Sequence, residues 1–516
     1  MITTGVSTSC HNEPALSQLI LYSLAIALCV GLEFFDSAFF SFFASYIAGG
    51  VNASADELVW STSLYAVTSV LGILQQSWLV QRTGYKGYLI LCLLGFSVAS
   101  LAICFAESSS ELAILRAIQG YCMGPMLSIC RIMLQTTLEG KTRGLALRLF
   151  LFCILLSSAS APLVGGYLIG ALGWKAPFTV MSIAGVLIAL LVFYSVPQRG
   201  KVPPEQYGEA HFWPYIIFTG AVVSLQTAMQ QVQFEHFSST PLIPLLTGLG
   251  IVAIGWFAFH QWQHPRPLLN LHTFSTDLFR TGLVMYMFYY YINNSMGYLI
   301  SRMLESGLNY PVQNAGLLVG GTSLLALSLL FVYFRFAARV TNKKYMIIPG
   351  CLTAAVICLW MIKMPPDVSE GWLLIPLFLR GGLLLTIALP VGGSAFKLFN
   401  EEDYNHSYRF KNIVKQLTYS FSTASVIMIE QDREALHYSR LADHITPDNP
   451  AFQEAMNKLS EHLVLFSNEE LKEASLGLIQ KMVLSQSKMM SIQDGFLYLA
   501  IIAVVAALFS LWQKKI

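Results

Sequence analysis

Glu33 and Asp36 are the only acids that stand well inside an apolar stretch, and three residues apart on a helix they share a face. Removing a carboxylate from water disfavours its charged form, and a neighbouring carboxylate disfavours it further. One of the two could therefore bind and release a proton near neutral pH. A permanent ion pair with an arginine is the alternative for either acid. A suitable cation stands in a second apolar stretch, which opens at Glu111 and continues Leu115-Arg116-Ala117-Ile118-Gln119-Gly120. A guanidinium at that depth must be paired or hydrated, and an acid of the first stretch is its natural partner. Arg380, beside Gly381 and Gly382, is a further charge in an apolar run and has no acid to pair with in the runs around it. It either faces a water-filled cavity and contacts an anionic group, or snorkels to a surface.

The elements that must hold these charges are set by composition. The chain has 516 residues, 55% hydrophobic and 12% charged, with mean hydropathy +0.58. Soluble proteins carry about 25% charged residues, so a soluble core cannot absorb this much apolar surface. A lipid-crossing helix needs about 20 mainly apolar residues, and about fourteen such runs are present. They lie at 19–45, 57–80, 87–106, 111–135, 145–170, 176–196, 212–231, 241–262, 279–301, 313–334, 345–362, 372–396, 410–429 and 493–512. The first lacks a basic flank and carries two acids, so it reads as a retained span and not as a leader.

Orientation follows from where Lys and Arg fall. With a cytoplasmic N-terminus, the inside loops hold Arg82, Lys86, Lys141, Arg143, Arg199, Lys201, Arg266, Arg280, Arg335, Arg339, Lys343, Lys344, Lys397 and Arg409, and the tail adds Lys514 and Lys515. The short outside loops offer Lys175, Arg302 and Lys363. Both termini are therefore expected inside. Eight cysteines lie in apolar runs and Cys10 in the N-terminal tail, with spacings of neither a disulfide framework nor a metal site. A net charge of +2 with no basic face gives nucleic acid no footprint, and no cofactor is implied.

Small residues mark close helix contacts. Gly120 and Gly124 form one ridge; Ser157, Ala161 and Gly165 form another, beside which Pro162 and Gly166 are expected to kink the helix. Close packing alone would explain both ridges. Tyr286, Phe288, Tyr289, Tyr290, Tyr291, Asn293 and Asn294 cover every face of one helix, so some must point inward, where rings could line a pocket for an amphiphile or stack a cation. Lipid-facing packing is the alternative for any one of them. Residues 430–492 are too long for a connector. Asn449 and Pro450 open one expected helix with Phe452, Met456, Leu459, Leu463 and Phe466 on a face; Ser467 and Glu470 open another through Leu471, Leu478 and Met482.

Several segments together resemble the fourteen-helix drug:proton antiporters of the major facilitator superfamily, in particular EmrB-type efflux subunits. Asp36-Ser37 is similar to their first-span Asp-x-Thr, and Arg116, Gln119 and Gly120 match Arg-x-x-Gln-Gly of the fourth. Pro162, Gly165 and Gly166 match the end of the fifth-span Gly-Pro-x-x-Gly-Gly. Pro267-Leu268-Leu269-Asn270-Leu271 resembles the signature before the ninth span, and Trp60 with Tyr65 fits the second. Arg433, His437 and Leu441 open the last external loop in the same manner. Departures are also clear. Leu79, Arg82, Gly84 and Lys86 of the loop after the second span remain, but Ser77, Gln81 and Tyr85 replace Gly, Asp and Arg, so the charged latch lacks its carboxylate. Ala161 replaces a Gly. Asn412 and Lys415 fit the thirteenth span's Asn and Arg, while Tyr419 and Ser422 stand where glycines are usual.

The resemblance implies an all-α polytopic membrane protein of the major facilitator fold: two six-helix bundles plus two extra helices. The expected parts are a tail at 1–18, a first bundle at 19–200, linking helices at 201–270, a second bundle at 271–429 with 493–516, and an external part at 430–492. The expected function is proton-coupled efflux of hydrophobic or amphiphilic small molecules across the inner membrane. Proton coupling falls to Glu33, Asp36 and Arg116, and the substrate cavity to Gln119, Tyr289, Tyr290, Asn293, Asn294 and Arg380. A dedicated exporter of one metabolite, such as a siderophore or fatty acid, and a transport-inactive sensor or scaffold stay open as alternatives. Membrane lipid, a periplasmic adaptor protein and an outer-membrane channel are the partners implied.

Overall fold

The computed structural model describes residues 16–53, 55–203, 212–231, 241–264, 267–272, 276–337, 339–340, 342–365, 368–396, 399, 401–462 and 468–513. Cys10, Arg266, Lys397, Leu463, Phe466, Ser467, Lys514 and Lys515, all used above, lie outside them, as do the side chains of Glu470 and Leu471. The regular structure of the described residues is all helix, with no strand among them. In the first half they form α1 (Leu16–Phe42), α2 (Ala44–Gly50), α3 (Ala55–Ile103), α4 (Ser109–Met123), α5 (Met126–Thr137), α6 (Gly140–Leu172) and α7 (Ala176–Ser195). Then come α8 (Phe212–Gln231) and α9 (Leu242–Gln263). The second half runs α10 (Asp277–Arg302), α11 (Val312–Ala326), α12 (Ser328–Phe336), α13 (Lys344–Ile362), α14 (Glu370–Gly381), α15 (Leu389–Ala395), α16 (Glu401–Ala442), α17 (Pro450–His462) and α18 (Asn468–Trp512).

Among the described residues, 11 helices are long and apolar enough to cross a membrane. One of these, Trp60–Ile103, has 44 residues. At 1.5 Å per residue that would be about 66 Å if straight, twice the hydrocarbon thickness of about 30 Å. It is two spans joined at Gly84, whose φ of 75° and ψ of 165° are not helical. The reversal shows in the packing: Gly72, before the turn, lies against the Tyr121 carbonyl, and Gly95, after it, against Cys122. The expected count of about fourteen thus depends on reading α3 as two spans and on admitting α10 and α16. Neither of those is among the 11, because α10 is rich in Tyr and Asn and α16 in charge.

α1 packs on α5, α6 and α7, and α10 on α16 and α18, so each half wraps one of the helices that line the middle. α8 and α9 pair through Phe218 and Phe257, ring centroids 4.5 Å apart. They lean on Val67, Val70, Ile73 and Leu74 of α3 and on Ile413 of α16, outside the main core. α16 and α18, of 42 and 45 residues, run far beyond a bilayer's thickness. The segment expected as a separate hairpin at 430–492 is instead their continuation, with α17 between them. Asp494 of α18 joins His437 at 2.9 Å and Arg433 at 3.5 Å on α16. Asn449 caps α17 as expected, its Oδ1 accepting from the Ala451 N–H at 3.0 Å.

Candidate functional site

α1 carries both acids inside the first half, where Asp36 is fully buried. The Arg116 Nη1 on α4 straddles its carboxylate, donating to Oδ1 at 2.7 Å and Oδ2 at 2.9 Å. The same nitrogen donates to Gln119 Oε1 at 2.7 Å, and Gln119 Nε2 in turn donates to Ser100 Oγ at 2.7 Å. The guanidinium carbon lies 4.0 Å from the Phe40 ring centroid and 4.3 Å from that of Tyr65. Aromatic faces attract a desolvated cation. Arg116 therefore keeps an amide and two rings when Asp36 is neutral, and the ion pair can open without stranding a bare charge. Its Nε has no hydrogen-bond partner, and a chamber of about 60 Å³ lies alongside, lined by Ser37, Phe40, Tyr65, Arg116 and Tyr298 among others. That space suits ordered water.

Glu33 has an ion pair of its own. It meets Lys415 of α16, Nζ to Oε1 at 2.6 Å, with side-chain exposures of 1% and 0%. Its Oε2 accepts from the Leu127 backbone N–H at 3.0 Å, in the first turn of α5. The helix break at Gly124-Pro125 frees that N–H, and a helix N-terminus favours a carboxylate. Each acid of α1 thus has a cation of its own, Asp36 the Arg116 of α4 and Glu33 the Lys415 of α16. The Glu33–Lys415 pair joins the two halves. Asn412 of α16 adds a bond from Nδ2 to the Gly124 carbonyl at 2.7 Å.

Between the halves lies a cavity of about 490 Å³. Tyr289, Tyr290, Asn293, Asn294 and Arg380 all line it. Gln119 does not: it is fully buried one helical turn from Arg116 and holds that arginine in place. Asn294 is largely engaged by α16, its Nδ2 donating to Ser422 Oγ at 2.8 Å and Thr423 Oγ1 at 2.9 Å. Tyr291 points away, bonded to Ser425 at 2.5 Å. The wall also includes Arg131, Arg148 and Lys411, which sequence reasoning missed. Arg131 was detectable as a charge inside the run 111–135.

Residues 26–422 match the sequence profile of the Major Facilitator Superfamily. The chain belongs to that superfamily. It is a multi-pass membrane transporter. It is 21% identical over 444 residues to the multidrug export protein EmrB of Escherichia coli strain K12, covering 86% of both chains. It is 21% identical to the fatty acid resistance protein FarB of Neisseria gonorrhoeae, covering 94% of both. In fold it is similar to a bacterial homologue of the human lysosomal transporter Spinster, solved inward-facing and unoccupied, with TM-score 0.63, 14% identity and coverage of 97% of this chain and 100% of that one. The D-xylose-proton symporter has TM-score 0.58 at 13% identity, over 81% and 91% of the two chains.

At one end of the middle the small-residue motifs of α6 bring the two halves together. Gly165 of α6 lies against Phe39 and Phe43 of α1, while Gly166 faces α11, where an added Cβ would stand 3.2 Å from the Gly316 Cα. α6 continues as a helix through Pro162, and Gly316 lies against the Pro162 carbonyl. At the same end Ser301 bonds the Phe42 carbonyl, and Arg302 reaches Ser45 at 3.3 Å and Glu430 at 3.0 Å. The opposite end holds the loop of Arg82 and Gly84. There the loop is joined to the segment after α7: Tyr85 N–H donates to the Arg199 carbonyl at 2.8 Å, Val202 N–H to that of Gln81 at 3.0 Å, and Gln198 Nε2 to that of Thr83 at 2.8 Å. Arg82 covers the Trp78 ring at 3.7 Å.

Proposed function

We propose that this transporter is a proton-coupled exporter of hydrophobic or amphiphilic small molecules across the inner membrane, with Asp36 carrying the proton and Arg116 clasping Asp36 when it is charged. The observation behind this is the buried Asp36–Arg116 pair, whose arginine retains other partners when the pair opens. Protonation of Asp36 releases Arg116 toward the adjacent chamber, and loss of the proton draws it back. Because Asp36 and the cavity-lining Ser37 are consecutive on α1, a guest that shifts α1 shifts the pair. Glu33, held by Lys415, assists by tying the state of α1 to α16, and with Asn412 it links the halves. The names of the EmrB and FarB relatives support outward transport of amphiphiles.

On this reading the chain has about fourteen spans and both termini are cytoplasmic. The described structure then opens inward, with its seal at Gly166 and Arg302 outside. The bundles are 19–200 and 271–429 with 493–516, linked by α8 and α9. No Gly-x-x-x-x-Gly-Lys-Ser/Thr loop occurs in the sequence, so the energy source is the proton gradient. Collapsing the gradient in cells with an uncoupler at constant ATP should abolish export; transport that persists under those conditions contradicts the proposal.

The extension formed by α17 and the ends of α16 and α18 projects on the same side as Arg302 and is proposed to dock a periplasmic adaptor that passes substrate to an outer-membrane channel. Glu454 and Glu473 are exposed there. Reversing their charge should weaken adaptor co-purification several-fold without changing expression, and unchanged recovery of the adaptor would rule the dock out.

A further inference from the structure

We infer that the central cavity selects an amphipathic anion, an acidic head on an apolar body, with Arg380 as the residue that receives the head. This rests on the export reading and names its substrate class. Among the described residues, the cavity wall carries Arg131, Arg148, Arg380 and Lys411 and not one carboxylate. A multidrug cavity for lipophilic cations would need the reverse balance.

The cations differ in how well they are already served. Arg131 Nε donates to Tyr404 Oη at 3.0 Å. Lys411 lies 4.4 Å from the Tyr286 ring and 4.7 Å from that of Tyr408, and donates to Tyr408 Oη at 3.4 Å. Arg148 is exposed at the open end and lies 5.6 Å from the Phe334 ring. Arg380 has Tyr289 and Tyr419 as electrostatic neighbours but no such hydrogen bond. Its Nε is buried without a hydrogen-bond partner, and no described residue gives it a hydrogen bond or an ion pair. A half-buried guanidinium with its Nε left unpaired is costly, and a planar acidic group is the ligand whose geometry matches it.

Position adds a direction. Arg380 lies against Gly297 of α10, while Lys411 covers Tyr286 on the same helix. Those two levels are about 16 Å apart at 1.5 Å per residue. Arg131, Arg148 and Lys411 therefore form a positive entrance, and Arg380 a deeper positive site toward the sealed end. Between them, Tyr289, Tyr290, Leu384, Leu385 and Ala388 offer rings and methyl groups to an apolar body. An anion is drawn in at the mouth and held at Arg380.

The test is equilibrium binding to the full-length protein in phosphatidylcholine nanodiscs, without a proton gradient, using laurate, dodecyltrimethylammonium and dodecanol as chain-matched probes. Laurate should bind at least tenfold tighter than dodecyltrimethylammonium, and Arg380→Gln should weaken laurate about tenfold while leaving dodecanol unchanged. Equal or tighter binding of the cation by the wild-type protein overturns the inference whether or not the variant folds, as does laurate binding indifferent to Arg380→Gln. Replacing half the lipid by phosphatidylglycerol should leave laurate affinity within about threefold; its loss would assign the site to a lipid headgroup and overturn the soluble-substrate reading. Proton-coupled export of cations alone would defeat this inference and spare the export reading, whereas laurate binding without any proton movement would do the opposite.

Discussion

Asp36→Asn is expected to reduce export on the order of a hundredfold or more, the scale at which a positioned proton-transfer group usually contributes. The amide keeps the volume and can still accept from Arg116, so the fold should persist and the protein should insert at normal levels. What it loses is the ability to change charge, and with it the force that moves Arg116 between its carboxylate and its other partners, Gln119, Phe40 and Tyr65. Asp36→Ala should behave differently. It leaves a buried arginine with a weakened shell, a change that costs about 3–5 kcal/mol and lowers recovery of folded protein. Export by Asp36→Asn at the wild-type rate would remove Asp36 from the proton path.

Glu33→Leu should lower the stability of the purified protein by about 3–5 kcal/mol, because Lys415 would be left charged and without its carboxylate in the middle of the bundle. The double substitution Glu33→Leu with Lys415→Met should recover most of that loss, since apolar residues of similar volume replace a buried ion pair at little cost. The two changes are then strongly non-additive, as expected for residues in direct contact. Thermal unfolding in detergent reads both. A double variant as unstable as the single one would mean that the pair at 2.6 Å is not what holds these helices together.

The acids and the arginine were legible because charge inside an apolar run is costly wherever it occurs, and depth can be read from the run itself. Partner choice could not be read in the same way. Lys415 is separated from Glu33 by 382 positions, and only the packing of α16 against α1 and α5 brings them together. The place of Gln119 beside Arg116 and away from the cavity was not legible, because the sequence does not say which face of α4 meets α3. It is the close approach of Gly120 to Tyr65 that turns Gln119 inward toward Ser100. Lys411 and Tyr408 lay near the end of an expected span, where a lysine reads as an ordinary inside-loop cation. The break in α3 was readable from Gly84, whose positive φ suits glycine. The continuity of α16 through residue 442 was not, because its polar composition resembles that of a loop helix.

Coupling of proton to substrate movement by Asp36 is read in proteoliposomes carrying a pH-sensitive dye, with laurate added to one side, no ATP present, and the signal of protein-free liposomes, across which laurate itself carries protons, subtracted. Wild-type protein should move protons when substrate is added, and Asp36→Asn protein, reconstituted to the same density, should not. Equal proton movement by the two proteins above that baseline, or none by the wild type while it speeds the crossing of laurate, would remove Asp36 from the coupling.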